Sequence, residues 1–176
     1  MEQAILVPVG EYLRTSYDPD VDYVDGVLEE RNVGELDHSD LQSEIVYWVR
    51  TNYRRSGLNA FAELRVAIGS TRFRVPDVVI TRGKRPKSGI LTSAPLVAIE
   101  VLSPEDRLSR VQARIDDYLR IGTQQVWVID PIARRAWAHT ASSITEVRDG
   151  LLRIADAEFT LPLAELYAAI DDATEA

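Results

Sequence analysis

Cysteine is absent from the 176 residues. Without thiols there is no disulfide scaffold, no zinc–thiolate site and no cysteine nucleophile. The absence fits a reducing compartment, and a cytoplasmic location is the expectation. Lysine is almost absent too: only Lys84 and Lys87 occur, and none follows them. No apolar run approaches the roughly 20 residues that a membrane helix needs, so no membrane association is expected. The opening residues, MEQAILVPVGEYL, carry no basic segment ahead of an apolar core, so no signal peptide is expected. Internal repeats, linkers and low-complexity segments are also missing.

What remains is the composition of a soluble globular protein, 45% hydrophobic and 27% charged, at a length that suits one domain over residues 1–176. The net charge of −8 argues mildly against nucleic acid as a partner, whose usual footprint on a protein is basic. The distribution matters more than the sum. Acids crowd the ends, from Asp18 to Glu30 and again at Asp171, Asp172 and Glu175, whereas the middle, from Arg50 to Lys87, is locally basic. A basic cluster beside a metal site can hold phosphates.

Read in order, PVGEYLRTS (residues 8–16) suggests a short helix. DYVDGVLEERN alternates around Asp25-Gly26, the strong two-residue hairpin signal. A helix is predicted from Asp37 to Ser56, with Leu41, Ile45, Trp48 and Val49 as its apolar face, a start capped by Asp37, Ser39 or Asp40, and Gly57 at its end. Two strands should follow, 59–68 and 73–81, turning at Gly69-Ser70. A polar loop (83–89) leads to a strand at 95–102. A helix is predicted over 105–121, burying Leu108, Val111, Ile115, Tyr118 and Leu119, with Gly122 as terminator. QVWVIDP is apolar enough for a strand buried on both faces. Antiparallel strands and a last helix at 162–170 complete the chain, with DDATEA frayed. The strand–helix–strand unit of residues 95–130 suits a parallel crossover. The expected class is a mixed-sheet α/β domain.

Two stretches break their own pattern. APLVAIEVLSP sets Glu100 inside an apolar strand, and VPDVVIT sets Asp77 among valines. A buried carboxylate costs several kcal/mol unless it is paired or binds a metal. On adjacent strands the two acids present hard oxygen ligands suited to Mg²⁺ or Mn²⁺, with the Val101 carbonyl as a third ligand. Such a metal lowers the pKa of bound water and stabilises charge on a phosphoryl oxygen.

Pro76-Asp77, then Glu100-Val101-Leu102-Ser103, the helix RIDDYLRIG and the strand VWVIDP together resemble the Uma-two family of restriction-endonuclease candidates, within the PD-(D/E)xK nuclease superfamily. YVDGVLEE and the helix opening at His38 match the family layout, and the likeness runs from about Glu11 to Pro131. It implies a restriction-endonuclease-like core, here with an added N-terminal β-hairpin and C-terminal strands plus helix. It further implies a Mg²⁺- or Mn²⁺-dependent endonuclease that hydrolyses DNA phosphodiester bonds. Asp77 and Glu100 match the catalytic acids. Since many nucleases of this fold pair to cut both strands, it also makes a homodimer the expectation.

The superfamily lysine has no counterpart: Leu102, not Lys, stands two residues after Glu100. In this family the lysine lies on the following helix, four residues before a tyrosine, and that position, four before Tyr118, holds Arg114. Arginine keeps the charge and can grip phosphate but cannot act as a general base. Arg114 is therefore the expected phosphate-contacting cation, Arg110 the alternative, and Arg72 and Arg74 are expected to position the nucleic-acid backbone. His38, Glu44 and Glu63 are accessory candidates. The alternative reading is a catalytically impaired module on the same fold, binding nucleic acid or protein, with Glu100 as a structural acid paired to Arg114 or Arg110.

Overall fold

The computed structural model describes residues 5–32, 36–154 and 156–174. Its elements are α1 (Val9–Arg14), β1 (Asp22–Val24), β2 (Val27–Glu29), α2 (Leu36–Asn52), a 3₁₀ turn (Arg54–Ser56), β3 (Leu58–Ala62), β4 (Arg65–Gly69), β5 (Arg72–Arg74), β6 (Val78–Arg82), β7 (Ile90–Leu91), β8 (Val97–Val101), α3 (Leu108–Arg120), β9 (Gln125–Asp130), β10 (Arg135–His139), β11 (Ile144–Glu146), β12 (Leu151–Ile154), β13 (Phe159–Pro162) and α4 (Leu163–Thr174).

A six-stranded sheet in the order β11-β10-β9-β8-β6-β3 forms the centre. β8 and β9 run parallel, joined through α3, while β3, β6 and β10 pair antiparallel with their neighbours. Side chains alternate between the two faces. Val78, Ile80, Val97, Ile99 and Val101 pack with Leu41, Ile45 and Val49 of α2 and Leu163, Leu166 and Ile170 of α4. Val79, Ala98, Val126 and Val128 face the other way, toward Val111, Ile115 and Tyr118 of α3. Burial on both faces explains the near-continuous apolar runs of β6, β8 and β9. The architecture is the mixed-sheet α/β arrangement expected from the sequence.

The main departure lies between residues 59 and 81. Where two long strands were expected, there are four short ones, and the chain changes sheets twice. β3 and β6 belong to the central sheet, whereas β4 and β5 join β1, β2 and β7 in a five-stranded sheet, order β2-β1-β5-β4-β7. The first switch occurs at Glu63, whose φ of 49° turns the chain out of the β region. The second occurs over Val75-Pro76-Asp77. Pro76 offers no backbone N–H and cannot continue a ladder, so β5 ends before it and β6 starts after it. The Asp25-Gly26 hairpin forms as expected.

Smaller corrections follow from packing. The helix expected to reach Ser56 ends at Asn52 and is followed by the 3₁₀ turn, closed by Gly57 at φ 79°. Asp37, Ser39 and Asp40 lie within α2 rather than ahead of it, and the residues just before Leu36 lie outside the described ones. Leu108 is 82% exposed, at the first residue of α3 and off its buried stripe. α4 runs on to Thr174, past the expected end at Ile170.

The two sheets are tied together by charge. Arg74 is 4% exposed, yet its guanidinium bonds Asp117 on α3 at 2.7 Å, Asp22 on β1 at 2.9 Å and Glu29 on β2 at 2.8 Å. Asp22 also accepts the Val75 N–H at 2.7 Å, which fixes the chain just before Pro76. Arg72 joins Asp117 and Asp25 at the margin. Removing one partner of a buried pair leaves the others charged and unsolvated. Arg74→Met is therefore expected to cost about 3–5 kcal/mol in urea denaturation, and Arg72→Met, at the half-exposed margin, about 1 kcal/mol or less. An unchanged midpoint for Arg74→Met would mean that the network does not hold the sheets together.

Candidate active site

Asp77 and Glu100 stand side by side because of strand register. Val78 pairs with Ile99 in the β6–β8 ladder, which places Asp77, one residue earlier, against Glu100, one residue later. Both have the parity of the α3-facing side chains, so they share a face at one end of the sheet. Each is only 3% exposed.

The backbone around Asp77 is pinned. Its carbonyl accepts from Glu63 N–H at 3.1 Å and from Gln42 Nε2 at 2.8 Å. Its Oδ2 accepts the Val101 N–H at 2.7 Å and lies 3.3 Å from His38 Nε2. His38 and Gln42 are four residues apart on α2, one turn, so a single helix face reaches both the carboxylate and the carbonyl of Asp77. The Asp77 Oδ1 pairs with Arg31, which follows β2. Arg31 also bonds Glu63 at 3.1 Å.

Glu100 is held from α3. Tyr118 donates its hydroxyl to Oε1 at 2.8 Å, and Arg114 Nε lies 2.8 Å from Oε2. These two residues are again one helical turn apart. Arg114 also approaches Asp106 at 3.5 Å. Asp106 in turn accepts from Ser103 N–H at 2.8 Å and Asn32 Nδ2 at 3.1 Å, closing the rim.

The two acids differ electrostatically. Burial pushes Asp77 up, but the His38 contact and the Arg31 charge outweigh it and hold its pKa below the usual carboxylate value. Burial dominates at Glu100 and pushes it up to about 7, against the pull of Arg114 and with Asp77 adding to the rise. His38 is raised by Asp77 despite its own burial. Glu100 is thus the carboxylate whose negative charge is less fully compensated. The cleft between them, lined by Arg31, His38, Asp77, Glu100, Asp106 and Arg114 among others, has a volume of about 20 Å³, room for one water-sized sphere.

The expected residues separate into those inside and those outside this cleft. Asp77, Glu100, Arg114 and His38 converge on it, with Val101 at its wall. Glu63 sits at the rim, its side chain 47% exposed, and touches the cleft through Arg31. Glu44, half-buried on α2, and Arg110, exposed on α3, do not line it. Arg72 and Arg74, expected to position a nucleic-acid backbone, direct their charges to Asp22, Asp25, Glu29 and Asp117 instead. Sequence reasoning did not single out Arg31, Gln42, Asp106 or the hydroxyl of Tyr118. Gln42 was signalled by its spacing from His38 beside the apolar stripe of α2. Arg31 lies in a polar turn that nothing in the sequence separates from surface.

The residues fit a small hard cation. Among the described residues no cluster of three or more His, Asp or Glu side chains forms a ready-made cage. Mg²⁺ does not require one, being held through one or two carboxylates together with waters and substrate phosphates. Asp77 and Glu100 are two such carboxylates, with Arg31 held on Asp77 Oδ1 in this structure.

Comparison with known proteins bears on the fold and the family. No curated protein sequence matches the chain. Among solved structures, a protein described as a putative nuclease belonging to DUF820, from Anabaena variabilis ATCC 29413, superimposes with a TM-score of 0.80 at 24% identity, over 93% of this chain and 99% of that one. This likeness shows a shared fold. A DrdV–DNA complex matches at 13% identity over 74% of this chain and 11% of that chain, with a TM-score of 0.41, too slight to define a common fold. The Uma2 family, described as "putative restriction endonuclease", matches residues 9–164, nearly the whole molecule. The chain belongs to the Uma2 family.

Proposed function

We propose that the protein is a Mg²⁺- or Mn²⁺-dependent endonuclease that hydrolyses DNA phosphodiester bonds. The observation that carries this reading is the pair of buried carboxylates, Asp77 and Glu100, brought together by β6–β8 register and faced by a cation on α3. Asp77, Glu100 and the Val101 carbonyl are the residues that would hold the metal. When bound, it would supply an activated water and neutralise charge on the scissile phosphate.

The protein's own side chains do the remaining work. Arg114 is charged at any physiological pH and reaches Glu100 through Nε, which leaves other guanidinium N–H groups for a phosphate oxygen. It stabilises negative charge on the phosphoryl group and takes no proton from water. Tyr118 orients Glu100 by its hydroxyl. His38 and Gln42 keep Asp77 in place, and Arg31 balances Asp77 until a cation takes over.

Calorimetric titration should show Mg²⁺ or Mn²⁺ binding at millimolar concentration, lost in Asp77→Ala. No heat in the wild type, or the same heat in Asp77→Ala, would sink the metal site. Cleavage of plasmid and of single-stranded DNA with Mn²⁺ should fall by about 100-fold or more in Glu100→Gln, because a carboxylate that would hold the metal is removed, and with it the charge stabilisation the metal would supply. Equal cutting by that variant would place the activity elsewhere.

One feature favours a second reading, a binding module without catalysis. All four carboxylate oxygens of the acid pair already have protein partners, and the lysine position is Arg114. Arg114→Lys separates the two. A gain of cleavage means that the natural chain lacks a titrating lysine its chemistry needs, whereas a fall means that arginine is the working cation.

A further inference from the structure

We propose that a nucleic-acid backbone lies along the outer edge of β3, in a cationic groove lined by Arg54 and Arg85 and continued by Lys84 and Lys87. This rests on the nuclease reading for the identity of the partner and adds where that partner is held. It also replaces Arg72 and Arg74, which the ion-pair network consumes.

Most arginines of this protein face a carboxylate: Arg31, Arg65, Arg72, Arg74, Arg114, Arg120, Arg134, Arg135, Arg148 and Arg153 all take part in ion pairs. The cations near β3 do not. From Ile45 to Ile99 the only acids are Glu63 and Asp77, against ten Lys and Arg residues. Arg54, Lys84, Arg85 and Lys87 are exposed, and none forms an ion pair among the described residues. In a chain of net charge −8, grooves lined by cations and by no carboxylate among the described residues form a surface suited to an anionic partner.

The fold builds this surface. β3 is the terminal strand of the central sheet, with one edge unpaired. Arg50 crosses that edge and donates Nε and Nη2 to the Ala60 carbonyl at 3.2 and 3.1 Å. Gly83 N–H bonds the Gly57 carbonyl at 2.8 Å, and Asn59 Nδ2 bonds the Gly83 carbonyl at 2.9 Å, so the loop carrying Lys84, Arg85 and Lys87 is tied to the start of β3. The Arg85 guanidinium rests over the Phe61 ring at 5.7 Å. The resulting groove, about 200 Å³, is lined by Arg50, Arg54, Arg85 and β3 with no carboxylate. A neighbouring depression of about 220 Å³ adds Arg82, Lys84 and Lys87, again without an acid.

The groove leads to the active site. β3 ends at Ala62, and the next residue, Glu63, bonds the Asp77 carbonyl through its N–H. From Asn59 to Glu63 the strand spans about 13 Å, the rise of about four base pairs of B-form duplex. The acids of the N-terminal hairpin do not cancel this field. Asp20, Asp22, Asp25 and Glu29 are engaged by Arg65, Arg74 and Arg72.

The test is binding of a short fluorescein-labelled duplex, read by anisotropy in EDTA so that no cleavage occurs. The triple variant Arg54→Gln, Arg85→Gln, Lys87→Gln should bind at least about tenfold more weakly than wild type. Its salt dependence should be shallower by about 2.7, roughly 0.9 for each phosphate that is no longer neutralised. Arg148→Gln, exposed just after β11 at the opposite edge of the central sheet, should bind as wild type. The three substituted side chains are exposed and without ion pairs, so the triple variant is expected to fold normally, as checked by its melting curve. Wild-type affinity in the triple variant, no binding by the wild type, or equal competition by poly-glutamate would each overturn the groove. Failure of the nuclease reading looks different: groove-dependent binding with no cleavage under any metal leaves the groove standing.

Discussion

Two carboxylates buried a strand's width apart repel each other and lose their hydration, at a cost of several kcal/mol per ion. Asp77 and Glu100 are in this position, and much of the molecule is arranged around offsetting that cost. Pro76 breaks the ladder so that Asp77 emerges at the end of β6. β8 brings Glu100 opposite. α2 sends His38 and Gln42 to one acid, and α3 sends Arg114 and Tyr118 to the other. No fold needs such an arrangement for stability alone, since apolar residues of similar volume would be at least as stabilising. The arrangement is the observation on which the proposed function rests, in a chain of the Uma2 family.

The same balancing of charge runs through the whole chain. Arg65 and Arg74 take up acids of the N-terminal segment in the five-stranded sheet, and Asp117 ties that sheet to α3. α3 therefore carries two systems on neighbouring turns: Arg114 and Tyr118 toward the acid pair, Asp117 toward Arg74. Many of the acids are committed to ion pairs, and among the described residues most of the cations without one lie beside β3 or in the loop after β6.

Charge pairing of this kind sets what is legible in the sequence. The acid pair was legible because an acid inside an apolar strand violates a strong local rule, and the register between two adjacent strands does the rest. The hairpin, the α3 stripe and the buried β9 were legible from period and turn chemistry. The double sheet switch was not. Residues 59–68 and 73–81 each read as one continuous apolar strand, and nothing local distinguishes a strand that stays in its sheet from one that crosses at Glu63 or Pro76, although the proline was a signal that could have been used. Arg72 and Arg74 were misassigned for a related reason. Charge in a sequence does not say whether its partner is solvent, a ligand or an aspartate 43 residues away, such as Asp117 for Arg74.

Arg31 exposes the logic of the site most directly. It follows β2 in the N-terminal segment, pairs with Asp77 and spans to Glu63, so it supplies positive charge at the carboxylate to which the proposed function assigns a metal. On the proposed function, a guanidinium and a metal would compete for the same oxygen, and the affinity for metal would be lowered by whatever Arg31 contributes to the metal-free state. Arg114 does not compete in this way, since it faces Glu100 from the α3 side. The two arginines therefore have different tasks. One keeps Asp77 ionised and ordered. The other, fixed by the helix, keeps its charge throughout, which is why arginine at the lysine position is compatible with electrostatic catalysis and incompatible with general-base catalysis.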